Sequence, residues 1–599
     1  MKQNIMNRLR TIPFGVCLLT MSVVGLTSCE DFFEQDSSYV VFEEDNKLNN
    51  AADTIYSVVG VLNKLQAIAD RTILLGEVRG DLVDITDATH ADLRKVASFD
   101  IDEDNQYNSP RDYYAIINNC NYFIANVDTS IINNRNEKIF LREYVAIKGF
   151  RAWTYLQLAL NYGSVPFIDK PILSKEESEK GYPRKGIKEI CNYFIDDLMP
   201  LVDEKLPSYG NIRGMDSRLF YFPIYLLLGE LNLWAENYEQ AALNYYKYIS
   251  TRNGMNSAYP IGTSRIQWFD SEWESLLMSS FEYGGESYAA QGEVITIIPG
   301  DSIPSEGYYS ELRNLFNSSV DNEYKVSLVP SEALQNLSAA QQYCHIEIDA
   351  KGEKDTIYAP ANITWASSTV KMNGDLRLWN VWSLDDEFTN KNGDRIDFQE
   401  IAKFQTRNIP IYRKTMLYLR MAEALNRAGY PMFAYKILSS GVNNTVIEDE
   451  VMSYYRTPAD TAFLRQFDFP ENRYGLVVPV QSGTTSSGEN INTMGIHSRG
   501  SGWSDANIYY QVDTAKTVDE QILQVEDMIV DEGALEFAFE GVRFYDLMRV
   551  ALRRSDTDYL AGRVALRSGT EDAILRTRLQ DYTNWYLPWN WDGEEMIAE

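Results

Sequence analysis

Residues Tyr225–Tyr248 read YLLLGELNLWAENYEQAALNYYKY, and Tyr418–Leu438 read YLRMAEALNRAGYPMFAYKIL. Each opens on an aromatic, puts a small residue four positions on and a second small residue twelve further, and closes on a large side chain four beyond that. The residues are Tyr225, Gly229, Ala241 and Tyr245 in the first stretch, and Tyr418, Ala422, Ala434 and Leu438 in the second. Between the small residues lies a polar turn, Glu236-Asn237 or Arg427-Ala428-Gly429. Small residues on facing helices let two backbones approach closely, and this spacing is the pattern of a tetratricopeptide helix pair. One pair cannot bury its outer face, so several pairs must stack.

Helical periodicity runs through the flanking sequence as well. Ser109-Pro110-Arg111-Asp112 predicts a helix start, with Ser as cap, Pro at the first helical position and Asp in the first turn. Tyr113, Ile116, Ile117, Cys120 and Ile124 then recur at three- and four-residue steps. A second helix is predicted from about Phe140 to Asn161, stopping at Tyr162-Gly163 with Pro166 just beyond. Periodicity fades over 251–404 and again over 444–530. These stretches are rich in Gly, Ser, Asn and Trp, with short strand-like runs such as Glu293–Ile298 and a polar run at Ser482–Gly488. Long irregular segments inside a compact body are usually functional or disordered. The predicted fold class is mainly α: about four tetratricopeptide-like helix pairs (helices about 51–250, 405–443 and 531–555) packed against an irregular, loop-rich, ligand-facing region with short strands.

Of the 599 residues, 45% are hydrophobic, enough for a large core, and the formal net charge is −31. A polyanion repels phosphate backbones, which argues against nucleic acid as a partner. Lys2, Arg8 and Arg10 precede an apolar run from Ile12 to Leu26 that falls short of the roughly 20 residues a membrane-crossing helix needs. The run ends in Leu26-Thr27-Ser28-Cys29, which resembles a bacterial lipobox, so residues 1–28 are expected to be a lipoprotein signal peptide and Cys29 the lipidation site. Residues 29–50 read as the acylated cysteine and an acidic tether, and 51–599 as a single domain. Outside the leader and Cys29, the cysteines are Cys120, Cys191 and Cys344, too few for a disulfide framework and expected to be buried small side chains.

Several motifs, in order along nearly the whole chain, resemble the SusD/RagB family. They are Phe32-Phe33 after the lipobox, FRAWTYLQLALNYGSVPF (Phe150–Phe167), YPRKGIKEICNYFIDDL (Tyr182–Leu198), YRKTMLYLRMAEALNRAG (Tyr412–Gly429), EFAFEGVRFYDLMR (Glu536–Arg549) and WYLPWNWDGE (Trp585–Glu594). The resemblance implies an outer-membrane lipoprotein that captures an oligosaccharide, or in the RagB branch an oligopeptide, for a TonB-dependent SusC-like barrel transporter. It implies palmitate on the anchor, an outer-membrane location facing the exterior, and no cofactor. The motifs diverge in 251–400 and 444–520, the regions expected to choose the ligand.

Catalysis has little support in the residues. His90, His345 and His497 lack metal-ligand spacing, and no HExxH, Walker A, GxGxxG or GxSxG motif is present. A surface glycoside hydrolase using two of the 86 acidic residues is the enzymatic alternative, and a passive helical scaffold the third. Asp196, Asp197, Glu536 and Glu540 are expected to be solvated or salt-bridged. Glu540, Arg543, Asp546 and Arg549, three residues apart in turn, are expected to pair along one helix face, and Asp375 with Arg377. Sugar binding needs flat rings beside polar groups, because pyranose faces are apolar and their rims hydroxylated. The candidate ligand residues are therefore Arg79, Asp81, Tyr107, Asn108, Trp268, Trp273, Tyr308, Tyr309, Trp379 and Trp382.

Overall fold

The computed structural model describes residues 53–591 apart from 213, 251–265, 270–271, 276–292, 302, 349–350, 360–361, 366–367, 372–373, 386–387, 471–477, 480–492 and 503–509. Cys29, the leader, the tether and Ser482–Gly488 lie outside the described residues. All described residues belong to one compact unit.

The helices of the body include, in chain order, α1 (Asp53–Glu77), α2 (Ala91–Ser98), α3 (Pro110–Asn126), α4 (Leu141–Tyr162), α5 (Ile187–Leu198), α6 (Ile224–Trp234), α7 (Tyr238–Ser250), α8 (Lys414–Arg427), α9 (Pro431–Leu438), α10 (Val518–Phe537), α11 (Arg543–Arg554), α12 (Asp558–Ala565) and α13 (Ala573–Leu579), with shorter helices in the loop regions. Consecutive helices pack as the pairs α3/α4, α6/α7, α8/α9 and α12/α13, while α1 lies against α3, α4 and α11. The two quoted repeat units are α6/α7 and α8/α9, and they pack on one another. In the first, a Cβ added at Gly229 would sit 2.6 Å from the Tyr245 ring. The small position and the large one are therefore one contact, which explains why both recur. Helix α6 touches α4, α5, α7 and α8 and is apolar nearly all round, with Leu226, Leu227, Leu228 and Leu231 fully buried. Each such leucine contributes about 1.5–3 kcal/mol.

Helices α3 and α4 start and stop close to where periodicity placed them. Ser109 precedes α3, but its side chain makes no capping hydrogen bond, and Pro110 occupies the first turn. Gly163, at φ +72°, ends α4 in a conformation that favours glycine. The segment 444–530 is less irregular than its composition suggests, since it contains a helix at Pro458–Leu464 and the first part of α10. The segment 251–404 holds two-stranded antiparallel hairpins, among them Ile266–Phe269 with Glu272–Ser275, Cys344–Ile348 with Lys354–Tyr358, and Asn362–Trp365 with Ser368–Lys371. Strand β1 (Val294–Ile298), at the run read as strand-like, pairs with β2 (Ile409–Arg413), which leads directly into α8.

Buried ion pairs join the two halves. Glu536 on α10 accepts from Arg377 at 2.9 Å, Arg413 at 2.7 Å and Arg499 Nε at 3.2 Å. Glu532 accepts from Arg377 at 2.5 Å and contacts His497 at 2.7 Å. Asp375 caps and pairs with Arg377 as expected. The expected one-face pairing of Glu540 to Arg549 is corrected in part. Asp546 and Arg549 do pair at 2.9 Å, but Glu540 lies in the turn before α11 and binds Arg413 and Lys403, while Arg543 binds Asp81. Asp197 pairs with Lys148 and Arg151, and Asp196 is exposed. Burial alone would push Glu532 and Glu536 upward, but the surrounding Arg and His groups outweigh it. They hold Glu532 down at about 2 and Glu536 well below the usual carboxylate range. Cys120, Cys191 and Cys344 are buried thiols, as expected.

Candidate functional site

Two adjacent residues on α1 fasten two distant segments to one end of the fold. Asp70 accepts the Tyr308 hydroxyl at 2.5 Å, the Ser310 hydroxyl at 2.6 Å and the Glu311 backbone N–H at 2.9 Å. One turn earlier, the Gln66 amide donates to the Pro299 carbonyl at 2.7 Å. Arg71 donates to the Ser109 carbonyl at 3.0 Å and pairs with Asp112. The 299–311 loop and the 107–112 loop thus meet over the same helix turn.

Half-buried rings lie where these loops meet. Tyr107 stacks on His90 with ring centroids 5.8 Å apart and 25° between planes, and its hydroxyl is 2.9 Å from His90 Nε2. Tyr309 lies under Arg407, whose guanidinium carbon is 3.3 Å from the ring centroid. Arg407 also donates to the Ser310 carbonyl and the Tyr309 hydroxyl, which holds that ring in place. Tyr107, Tyr308 and Tyr309 each keep part of their surface open. Burial, with Asp70, Asp92 and Glu311, pushes the Tyr107 phenol upward, and burial with Asp70 does the same for Tyr308. Both phenols therefore keep their protons at neutral pH. Burial lowers His90 against the opposing pull of Asp92, so its ring is neutral there. Burial raises Asp70 despite its three donors. The arrangement offers flat apolar faces beside phenol and imidazole hydrogen-bonding groups, which suits a hydroxylated ring.

The other candidates fall elsewhere. Arg79 and Asp81 are corrected to the core. Arg79, fully buried, donates to the Leu75 and Trp585 carbonyls and to Asn161, with its guanidinium 4.2 Å over the Phe544 ring. Asp81 is buried and holds Arg543 through two hydrogen bonds of 2.6 and 2.8 Å. A fully paired internal ion has no face left for a ligand. Asn108 is also buried, its amide on the Asp102 and Pro588 carbonyls and its oxygen on the Tyr162 hydroxyl. It braces the base of the 107–112 loop against the C-terminal segment. Trp379 and Trp382 form a stacked pair, 5.4 Å apart at 16°; Trp382 is buried and donates to Gln399, and Trp379 is half-buried. The backbones of Trp268 and Trp273 pair directly across their hairpin, and their side chains lie outside the described residues. Sequence reasoning missed Asp70, His90, Glu311 and Arg407. Asp70 meets its partners from 238 to 241 residues away, and no local spacing signals that.

Comparison with known proteins agrees with this architecture. The SHNi-TPR family matches residues 224–247, the α6/α7 pair. A SusD-like protein of Formosa agariphila is 28% identical over 242 residues, 38% of this chain and 44% of the relative, so the match spans less than half of that relative's length. A SusD superfamily structure from Bacteroides vulgatus superposes with a TM-score of 0.51 at 14% identity, covering 90% of this chain and 95% of that one. The chain is similar in fold to SusD superfamily structures and, over part of its length, in sequence to a SusD-like protein. A SusD-like carbohydrate binding protein from Bacteroides fragilis shares the fold at a TM-score of 0.50 and 12% identity, covering 85% and 88% of the two chains. Identities this low carry the fold alone. Among the described residues, no helix is long and apolar enough to cross a membrane.

Proposed function

We propose that this chain captures an oligosaccharide on the Tyr107–Tyr308–Tyr309 platform. The supporting observation is the convergence of three half-open tyrosine rings and neutral polar groups around Asp70. Pyranose faces stack on such rings, and the phenol, imidazole and amide groups at their edges exchange hydrogen bonds with sugar hydroxyls. The Bacteroides fragilis carbohydrate binding protein of the same fold supports the choice of ligand class. An acyl chain on Cys29 fastens the body to the outer membrane, facing the exterior, and a SusC-like TonB-dependent barrel receives the captured glycan. The chain acts as a single body of residues 51–599 behind the tether, and as a binder rather than an enzyme. The carboxylates of the Glu536–Arg549 motif are buried in ion pairs, which leaves them unfit for acid–base exchange with a substrate.

Calorimetric titration of the full mature chain with oligosaccharide and oligopeptide panels tests this. Binding of an oligosaccharide that weakens about tenfold in Tyr107→Ala supports the proposal. Binding of peptides alone moves the chain to the RagB-like alternative, and turnover of a bound glycan makes it an enzyme.

A further inference from the structure

The rim of the tyrosine platform is acidic, while its deeper cations are committed to the protein. The charged groups acting on the Tyr107 phenol are Asp70, Asp92 and Glu311. Glu311 is exposed, Asp92 is half-buried, and Asp102, Glu103 and Asp104 stand exposed in the same loop as Tyr107. Arg71 and Arg407 are each only 8% exposed. Arg71 spends its donors on Asp112 and on the Ser109 and Ala67 carbonyls. Arg407 spends its own on Ser310 and Tyr309 while its flat face covers a ring. Lys95 is paired with Asp102. The same two loops also present exposed cations, Arg313 near Arg407 and Arg111 in the first turn of α3, against the exposed acids Asp102, Glu103, Asp104 and Glu311.

We propose that this platform selects neutral or amine-bearing oligosaccharides and rejects those carrying uronate or sulfate groups. The inference rests on the oligosaccharide reading above and specifies its chemical class. An anionic sugar seated on the rings would bring its charge against exposed carboxylates, and the guanidinium forks that normally take carboxylate or sulfate bidentately are occupied. An amine-bearing sugar meets the opposite situation and gains from the same field.

The test is titration of the full mature chain, at low and at physiological ionic strength, with oligomers of equal length. The neutral and amine-bearing arm comprises manno-, xylo-, cello-, N-acetylchito- and chitosan oligosaccharides. The anionic arm comprises oligogalacturonate, oligoalginate and chondroitin sulfate oligosaccharides. Affinity confined to the first arm is the expected result. An anionic oligomer that binds more tightly than every member of the first arm overturns the inference while leaving oligosaccharide capture standing. Silence from both arms removes oligosaccharide capture and this inference with it. In the Asp92→Asn, Glu311→Gln double variant, the affinity ratio between a bound neutral oligomer and its carboxylated analogue should narrow on the order of fivefold at low salt. A ratio that does not move shows that the rim is not the source of the selection.

Discussion

The helical pairs and the ligand-facing loops are held by different kinds of contact. In α6–α9 the contacts are apolar and redundant: Gly229 lies against Tyr245, and four leucines of α6 are surrounded by neighbouring helices. On the loop side, single polar anchors do the work. Asp70 secures the 308–311 loop, Arg71 the 109–112 loop, and Glu536 gathers Arg377, Arg413 and Arg499 from three separate segments. The lesson is that a repeat scaffold tolerates divergent loops because each loop needs only one or two buried charges to be registered on it. Buried ion pairs bring little net stability over an apolar replacement, but removing one partner leaves the others uncompensated.

That contrast makes measurable predictions. The largest effect is expected at Glu536→Ala, which removes the carboxylate that three buried guanidinium groups share and leaves an excess of positive charge in the core; unfolding in denaturant should show a loss of about 3–5 kcal/mol. A loss under about 1 kcal/mol would mean that the loops are registered without this hub.

Next comes a titration effect where α1 meets the α10–α11 turn. Glu77, fully buried, accepts the Gly541 and Phe539 backbone N–H groups at 2.7 and 3.2 Å in a turn where both residues have positive φ. Burial lifts its carboxyl to about 7 despite those donors. A raised acid gives stability that is fully present below the unfolded value of 4.5 and lost as pH climbs through 7. Glu532, held at about 2, has the opposite sign: its contribution is present above 4.5 and lost as pH falls toward 2. Between pH 4.5 and 7.5, Glu77→Gln should therefore gain on wild type by on the order of 3 kcal/mol, read from paired denaturation curves. A constant difference across that range would exclude a titrating Glu77.

A smaller effect is expected inside the repeat. Gly229→Ala drives a methyl against the Tyr245 ring and should cost about 1–3 kcal/mol, and shrinking the partner in Gly229→Ala, Tyr245→Leu should recover part of it. Additive losses would show that the two positions do not share a contact. The smallest stability effect belongs to the platform. Tyr107→Ala should change unfolding by less than about 1 kcal/mol, yet weaken oligosaccharide binding about tenfold, because a half-exposed ring contributes little to the core and much to stacking.

Much of the scaffold was legible from residue patterns. The 4–12–4 spacing located α6/α7 and α8/α9, Pro110 and Gly163 marked helix ends, and Val294–Ile298 read as a strand before its partner was known. The start of α10 at Val518 was missed because polar residues dominate its first turns, where Thr517 caps the helix and Glu520 closes a capping box. The site was only partly legible. Aromatic and loop position point to Tyr107, Tyr308 and Tyr309, while Arg79 and Asp81 read as a polar pair with no sign in the sequence that both are interior.

Residue order alone determined that this chain builds paired helices, because periodicity and the alternation of small and large side chains are local and survive in any window of the right length. It also determined the acidic balance that shapes the platform rim. Only the tertiary structure decided which charges are internal and which rings stay open, since Asp70 and Tyr308 stand 238 residues apart and Arg79 and Trp585 506. Burial is a property of what the whole chain places around a residue, so a charged side chain reads the same in sequence whether it meets solvent, a ligand or a buried partner.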